Sequence, residues 1–255
     1  MSSVVARSGR ADTGAKNAKG DDVKLFDVAA DDATLDFLRG LELPLVVDSE
    51  EAGRRQIGQG IPRHRLVVDP VDGSDNRACG LPLSAISCAV LPSDAPLHPD
   101  WVEAALVGPL EQETPLIAVK GDGAWRGSEP VRVSKVRNVG ESMISLELNH
   151  HSPSSGLASL MAAARGVRCY GCASRALSLV AVGAIDAHVD VRGRLTAESY
   201  LAAARIVLEA GGWVAGCDGR ALAAAEGLTS RLGLIAASSR ELCDEIVEVL
   251  GGAGR

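Results

Sequence analysis

The sequence predicts an α+β fold made of two fused subdomains. In residues 21–130, one amphipathic helix is followed by apolar, β-branched runs joined by turns, which is typical of antiparallel strands. In residues 131–255, apolar strands alternate with helical segments, which indicates a sheet covered by helices. Hydrophobic residues make up 46% of the chain but aromatic residues only 3%, so Ala, Val and Leu must form the core. We therefore expect closely packed helices.

The first subdomain is predicted to begin with a helix. Residues 1–20 are small and polar and lack periodicity, so we expect a flexible N-terminus there. The helix should run from Asp27 to about Arg39, with Asp27 at its N-terminal end. Residues 52–65 are expected to be a polar connector. The predicted strands are 43–51, 66–69, 83–91, 101–107 and a hairpin over 116–127.

The second subdomain has a regular alternation of elements. The predicted strands are 143–148, 167–170, 187–191 and 232–236. The predicted helices are 156–164, 173–182, 199–210 and 240–250. Because small ligands bind in clefts between such halves, we expect the functional site at their junction.

The most informative stretch is an acidic turn after the apolar strand at 66–69. Asp69 ends the strand, and Pro70 is expected to stop ladder pairing so that Asp72 is presented in a turn. The glycine that follows allows close backbone approach, and the Ser74 hydroxyl is expected to cap a short helix. Hard cations favour such carboxylates, and phosphate favours both cations and free N–H groups. Taken alone, the same residues are also typical of a simple turn.

Two further segments accompany this turn. Glu50 and Glu51 end another predicted strand, and Leu208-Glu-Ala-Gly-Gly ends an Ala-rich helix. Together these segments resemble the inositol monophosphatase family of magnesium-dependent, lithium-sensitive sugar phosphatases. The resemblance implies a layered α/β/α/β/α sandwich, a small phosphorylated substrate and a homodimer. It also implies two or three Mg²⁺ ions, with Mn²⁺ as a possible replacement.

The resemblance assigns metal ligands to the acidic turn. Glu50, Asp69 and the backbone carbonyl of Val71 would bind the first ion. Asp69 and Asp72 would bind the second. Glu51 is interpreted as acting through water or through another ligand.

The resemblance also assigns catalytic and phosphate-binding roles. The backbone N–H groups of Gly73 and Ser74 would bind the phosphate. The Ser74 hydroxyl, polarised by Asp27, would orient the attacking water, with Glu50 beside it as a further catalytic acid.

The chain departs from the family pattern at two places. Where the family has an aspartate ligand of the second metal, this chain has Ser199, preceded by Glu198. Glu198 is one methylene longer than Asp, so we interpret it as the replacement ligand; it could also be only a first-turn acid stabilised by the helix dipole. Asp75, directly after Ser74, would repel phosphate unless it pairs with a cation or turns away. A catalytically silent member that binds a phosphorylated ligand is therefore an alternative.

The resemblance also predicts substrate contacts in the second half. Gly171, Cys172 and Ala173 match the turn that grips substrate hydroxyl groups. Asp190 and Arg192 lie near the family's sugar contacts, although they could equally be surface residues at a strand end. These residues leave open an inositol phosphate, a sugar phosphate or bisphosphate, or a 3′-phosphonucleotide.

Bulk properties exclude several other classes. The net charge of −7, with no basic run, argues against nucleic-acid binding, but metal ions would still allow an anionic substrate. No apolar run reaches the length of a membrane span, and we expect a cytoplasmic protein. Six scattered cysteines do not indicate a disulfide framework. Cys169 and Cys172 form a Cys-x-x-Cys, but no second pair supports zinc or redox chemistry, so reduced thiols are expected.

Overall fold

The computed structural model describes residues 12–16, 22–111 and 114–252. Most of the predicted flexible N-terminus at 1–20 therefore lies outside the described residues. Within it, β1 (Asp12–Lys16) pairs antiparallel with β2 (Asp22–Lys24), which leads directly into the first helix. Lys24, the last residue of this hairpin, contacts Asp75 at the start of the short helix Ser74–Cys79.

A large sheet dominates the first half. Its strands are β3 (Leu45–Ser49), β4 (Gly53–Ile57), β5 (His64–Asp72), β6 (Ala85–Pro92), β7 (Ala104–Pro109), β8 (Leu116–Val119), β9 (Gly123–Arg126) and β10 (Glu129–Pro130). They lie in the order β10-β9-β8-β7-β6-β5-β3-β4. All neighbours run antiparallel except β3 and β5, whose parallel pairing brings their carboxyl ends to the same edge.

A smaller sheet forms the second half. Its strands are β11 (Met143–Leu146), β12 (Gly166–Arg168), β13 (Ala187–Leu195), β14 (Trp213–Ala215) and β15 (Leu232–Ala237). The order is β12-β11-β13-β15-β14, with β11 parallel to both of its neighbours and β15 antiparallel to both of its own.

Helices cover and separate the two sheets. In the described residues they are α1 (Leu25–Gly40), α2 (Ser74–Cys79), α3 (Ser155–Ala163), α4 (Ala173–Ala181), α5 (Ala197–Glu209) and α6 (Arg240–Gly252), with 3-10 turns at Pro99–Trp101 and Val139–Glu141. None of them is both long and apolar enough to cross a bilayer. Helix α1 covers the large sheet, α4 and α5 lie between the sheets, and α3 and α6 cover the small sheet. The predicted α/β/α/β/α sandwich is confirmed.

The central helix layer explains why so few aromatic residues are needed. Ala202, Ala203 and Ala204 on α5 are almost completely buried, and their small side chains let the helix pack closely between two sheets. The main apolar cluster joins Val67 of the large sheet to Leu234 of the small one through this layer. The two halves share this core, so packing does not mark a boundary between them. The subdomain boundary near residue 130 stays a prediction.

One predicted connector is wrong. Within 52–65, residues Gly53–Ile57 form β4, which pairs with β3 at the edge of the large sheet. Its middle residues Arg54, Arg55 and Gln56 are exposed, and an edge strand tolerates such polar side chains. The polar composition therefore concealed a strand.

Candidate active site

The acidic turn is built into the end of β5. The strand continues to Asp72, but its pairing with β6 is interrupted at Pro70: Asp69 pairs with Ser87 and Asp72 with Ala85, and the register shifts between them. The break expected at Pro70 is therefore local and does not end the strand. Such an irregularity re-aims side chains at a sheet edge. Asp69 is buried, and its Oδ1 accepts the N–H of Val71 at 3.0 Å.

Gly73 is required by the contact between the two halves. Its φ is +83°, and a Cβ added there would lie 2.9 Å from the Leu83 carbonyl oxygen and 3.0 Å from Cys172 Cβ. Gly73 also caps α2, and the predicted capping by the Ser74 hydroxyl is wrong. That hydroxyl instead turns back and donates to the Val71 carbonyl at 3.1 Å.

Asp27 comes from α1 and lies beside this turn. Its Oδ2 accepts the N–H of Lys24 at 3.0 Å, while its buried Oδ1 has no hydrogen bond of good geometry. Burial raises the pKa of Asp27 from 3.8 to about 6, and the Lys24 N–H and the nearby Ser74 hydroxyl oppose that rise. The negative charge of Glu50 also contributes to the raised pKa. The structure therefore places Asp27, Ser74 and Glu50 close to one another.

Asp72 joins the large sheet to the central helix layer. Its Oδ2 accepts the Ser174 N–H at 2.7 Å and lies 3.2 Å from Cys172 Sγ, which donates to it. Burial raises the pKa of Asp72, the contacts with Ser174 and Cys172 oppose the rise, and the charge of Glu50 adds to it. The first turn of α4 therefore orients this carboxylate.

A cavity of about 470 Å³ opens in front of Asp72. The predicted site residues on its wall are Asp72, Gly171, Cys172, Ala173 and Arg192. The wall thus combines the acidic turn of the first half with the predicted substrate turn of the second.

Arg192 is held by two acids. Asp190 is fully buried and accepts hydrogen bonds from Arg192 Nε at 3.0 Å and Nη2 at 2.7 Å. Arg192 lines the cavity, whereas Asp190 lies behind it. Arg192 Nη1 lies 3.7 Å from Glu147 Oε1 and 3.2 Å from the Asn149 carbonyl oxygen. Sequence reasoning missed Glu147, although a lone acid at the end of a buried strand was a usable signal.

Glu198 and Ser199 occupy different environments at the start of α5. Ser199 lines the cavity, whereas Glu198 is buried and is not on the cavity wall. The backbone carbonyl of Glu198 accepts the Ser87 hydroxyl at 3.0 Å, which ties α5 to β6 opposite Asp69. The metal-ligand role of Glu198 stays a prediction.

Asp75 is paired with a cation, which is one of the two arrangements expected for an acid beside Ser74. Lys24 Nζ lies 2.9 Å from Asp75 Oδ1. The ammonium side chain is only 11% exposed, whereas that of Asp75 is 93% exposed.

Glu209, from the Glu-Ala-Gly-Gly segment, serves the fold. Its carboxylate accepts the Gly121 N–H at 2.8 Å and the Gly123 N–H at 3.0 Å, and it is ion-paired with Arg205. It therefore fixes the glycine-rich β8–β9 hairpin on the end of α5.

The donor chemistry of the turn fits a hard divalent cation. Among the described residues no group of three or more His, Cys, Asp or Glu side chains is already arranged to hold a metal ion. Glu50 and Asp72 are partly buried, and the charge of Glu50 acts on Asp72, so a bound cation would relieve the repulsion between the two carboxylates. Carboxylate and carbonyl oxygens are the ligands that Mg²⁺ takes.

The layered fold places acids beside a polar cavity, and the names of similar proteins, inositol-1-monophosphatase and fructose-1,6-bisphosphatase, assign the chain to the phosphoric monoester hydrolases. The model of the inositol monophosphatase family matches residues 3–252, and the chain belongs to that family.

Named relatives and a solved structure agree with that assignment. The fructose-1,6-bisphosphatase/inositol-1-monophosphatase of Methanocaldococcus jannaschii is 29% identical over 231 residues, which cover 91% of this chain and 86% of the relative. The inositol-1-monophosphatase of Aeropyrum pernix is 30% identical over 235 residues, which cover 89% and 84%. The crystal structure of an inositol monophosphatase–fructose 1,6-bisphosphatase gene product superposes with a TM-score of 0.81 at 27% identity, and the match covers 96% of this chain and 90% of that one.

Proposed function

We propose that the protein is a Mg²⁺-dependent phosphatase that hydrolyses a small phosphate monoester, most simply an inositol monophosphate or a sugar phosphate. The observation that carries the proposal is the position of Asp72, which belongs to the acidic turn and also lines the 470 Å³ cavity. A cavity of that size suits a small ligand.

The metal ligands in this proposal are the oxygen donors of the turn. Glu50, Asp69, the Val71 carbonyl and Asp72 would hold the ions, with Glu198 as the further candidate. When bound, Mg²⁺ shields the charge of the ester and lowers the pKa of a coordinated water. The Val71 carbonyl oxygen accepts the Ser74 hydroxyl with one lone pair, which leaves its second lone pair for the ion.

Asp27 and Ser74 are proposed to orient the attacking water. A carboxyl group whose pKa is about 6 can accept a proton near neutral pH, and the Ser74 hydroxyl lies beside it. The backbone N–H groups of Gly73 and Ser74 would bind the phosphate.

The second half is proposed to bind the rest of the substrate. The backbone at Gly171, Cys172 and Ala173 faces the cavity and can pair with polyol hydroxyl groups. Arg192 also lines the cavity, but Asp190 and Glu147 already balance its charge. It is therefore better suited to hydroxyl groups than to a second phosphate.

A silent, ligand-binding family member is the second candidate. It is favoured by Ser199, which stands on the cavity wall where the family pattern has an acid.

Phosphate release tests both candidates. The purified chain should hydrolyse members of a panel of inositol, hexose, bisphosphate and 3′-nucleotide esters only when Mg²⁺ or Mn²⁺ is present. Asp72→Asn should lower the rate by at least about a hundredfold while the melting temperature changes little, because it removes a ligand rather than packing. Asp218→Asn, which changes an exposed acid paired with Arg220, is the control and should be inert.

The outcomes separate the candidates. Binding of an ester without turnover under saturating metal supports the silent member, and absence of both binding and turnover refutes both. A homodimer remains the expected assembly, and light scattering that gives the monomer mass of 26.3 kDa would refute it.

A further inference from the structure

We propose that Lys24 is a positioning residue for the phosphate turn. Its ammonium group neutralises Asp75, so that the turn can accept a doubly charged phosphate ester. The inference rests on the proposed function, since it takes the phosphate to bind beside Ser74.

The first step is the placement of Lys24. It is the last residue of β2 and the N-cap of α1, and its backbone N–H is bonded to Asp27. The neighbouring Val23 carbonyl accepts the Thr13 hydroxyl at 2.8 Å, which ties the two strands of the hairpin together. Lys24 is thus fixed between an N-terminal hairpin and the first turn of a helix.

The second step is the direction of its side chain. The stem of Lys24 is buried and carries the ammonium across to Asp75, the residue after Ser74. Its positive charge is also felt at Asp27, where it opposes the rise in pKa. The charge of Lys24 therefore acts on both Asp75 and Asp27, which lie on either side of Ser74.

The third step is the charge balance. An unpaired carboxylate next to Ser74 would repel a phosphate ester that carries almost two negative charges, but Lys24 brings the summed charge of the Lys24–Asp75 pair to zero. Because Asp75 is 93% exposed, its pair with Lys24 should add little to stability, so Asp75→Asn can report the charge balance without a large change in the fold.

The test is a double-variant cycle read by phosphate binding. Inorganic phosphate is titrated calorimetrically into the full chain saturated with Mg²⁺. Lys24→Met leaves one negative charge and should weaken binding about fivefold; Asp75→Asn leaves one positive charge and should tighten it by a similar factor. The double variant restores a sum of zero and should return to within about twofold of the unchanged protein. Lys24→Arg keeps the charge and should retain binding.

A matched control lies on the same helix. Arg39 is paired with Asp36 at 2.8 Å on exposed α1 surface, and Arg39→Met should leave phosphate affinity unchanged. Substrate KM should follow phosphate affinity across the series, whereas kcat should vary less. Asp75→Asn alters an exposed residue, so it tests the inference even if Lys24→Met fails to fold.

Each failure has a distinct meaning. If Lys24→Met and Asp75→Asn change only the melting temperature and leave phosphate affinity unaltered, the pair is structural and the inference is refuted. If the double variant binds as weakly as Lys24→Met, neutralisation of Asp75 is refuted. If the unchanged protein binds no phosphate with Mg²⁺, the inference is refuted, and the phosphate-release panel decides the proposed function separately.

Discussion

The buried carboxyl group of Asp27 gives the sharpest test of the site's electrostatics. Asp27 lies in the first turn of α1 and is only 3% exposed, and this burial raises its pKa from 3.8 to about 6. The difference of about two pKa units corresponds to at most about 3 kcal/mol between protonation states. Asp27→Asn removes the charge but keeps an oxygen that can accept the Lys24 N–H.

The direction of the effect follows from proton binding. Between about pH 4 and pH 6 the folded chain keeps the Asp27 proton that the unfolded chain loses. The contribution of Asp27 to stability is therefore full below pH 3.8 and is lost as the pH rises through about 6. Relative to the unchanged protein, Asp27→Asn should gain about 2 kcal/mol of unfolding free energy between pH 4 and pH 7.5.

Urea denaturation with a chelator present measures this difference. The matched control is Asp36→Asn, which removes an exposed acid from the same helix and is measured in the same way. Asp27→Asn should also lose most turnover with Mg²⁺. A stability difference for Asp27→Asn that is constant across the pH range would show that the carboxyl group is not held protonated by burial.

Three further tests, two of them with a control substitution, distinguish residues that stabilise the fold from residues that act in the site. Glu209→Gln should lower the unfolding free energy by about 3 kcal/mol and leave KM unchanged, since it breaks hydrogen bonds to the β8–β9 hairpin; an unaltered urea midpoint would contradict this. Arg192→Met should cost about 3 to 5 kcal/mol because it leaves a buried carboxylate unpaired, whereas Arg194→Met on the exposed surface should cost little in the same denaturation. Glu198→Gln should weaken both Mg²⁺ affinity, measured by calorimetry, and turnover; Ser199→Ala should change neither. Equal Mg²⁺ affinity in Glu198→Gln would leave Glu198 as a helix-start acid.

The sequence predicted most elements because their periodicity is strong. The alternation of strands and helices after residue 131 places α4 and α6 within two residues of their expected ends, since apolar runs bounded by turns leave few alternatives. The β4 edge strand was missed because its polar residues carry no apolar alternation. Local sequence therefore indicates which residues are buried more reliably than it indicates which segments pair as strands.

Candidate site residues could be proposed from the sequence where they belong to a motif or stand at a fixed place relative to one. The turn from Asp69 to Ser74 and the acid Asp27 could be identified, because motif and position coincide. Lys24 could not, because the acid that it contacts lies 51 residues away in the chain. Glu147 was missed although its place at a strand end was a signal, and its partner Arg192 lies 45 residues away. Side-chain partners across such separations are set by packing and not by local pattern.

The contacts of Glu209 with the β8–β9 hairpin affect how the Glu-Ala-Gly-Gly segment should be used in genome annotation. Its carboxylate is occupied by two backbone N–H groups and Arg205, so selection for a folded chain alone would retain it. A relative that had lost hydrolysis but kept its scaffold would still carry the segment. Its presence therefore reports descent and an intact architecture, and an activity assignment needs the acids of the turn as separate evidence.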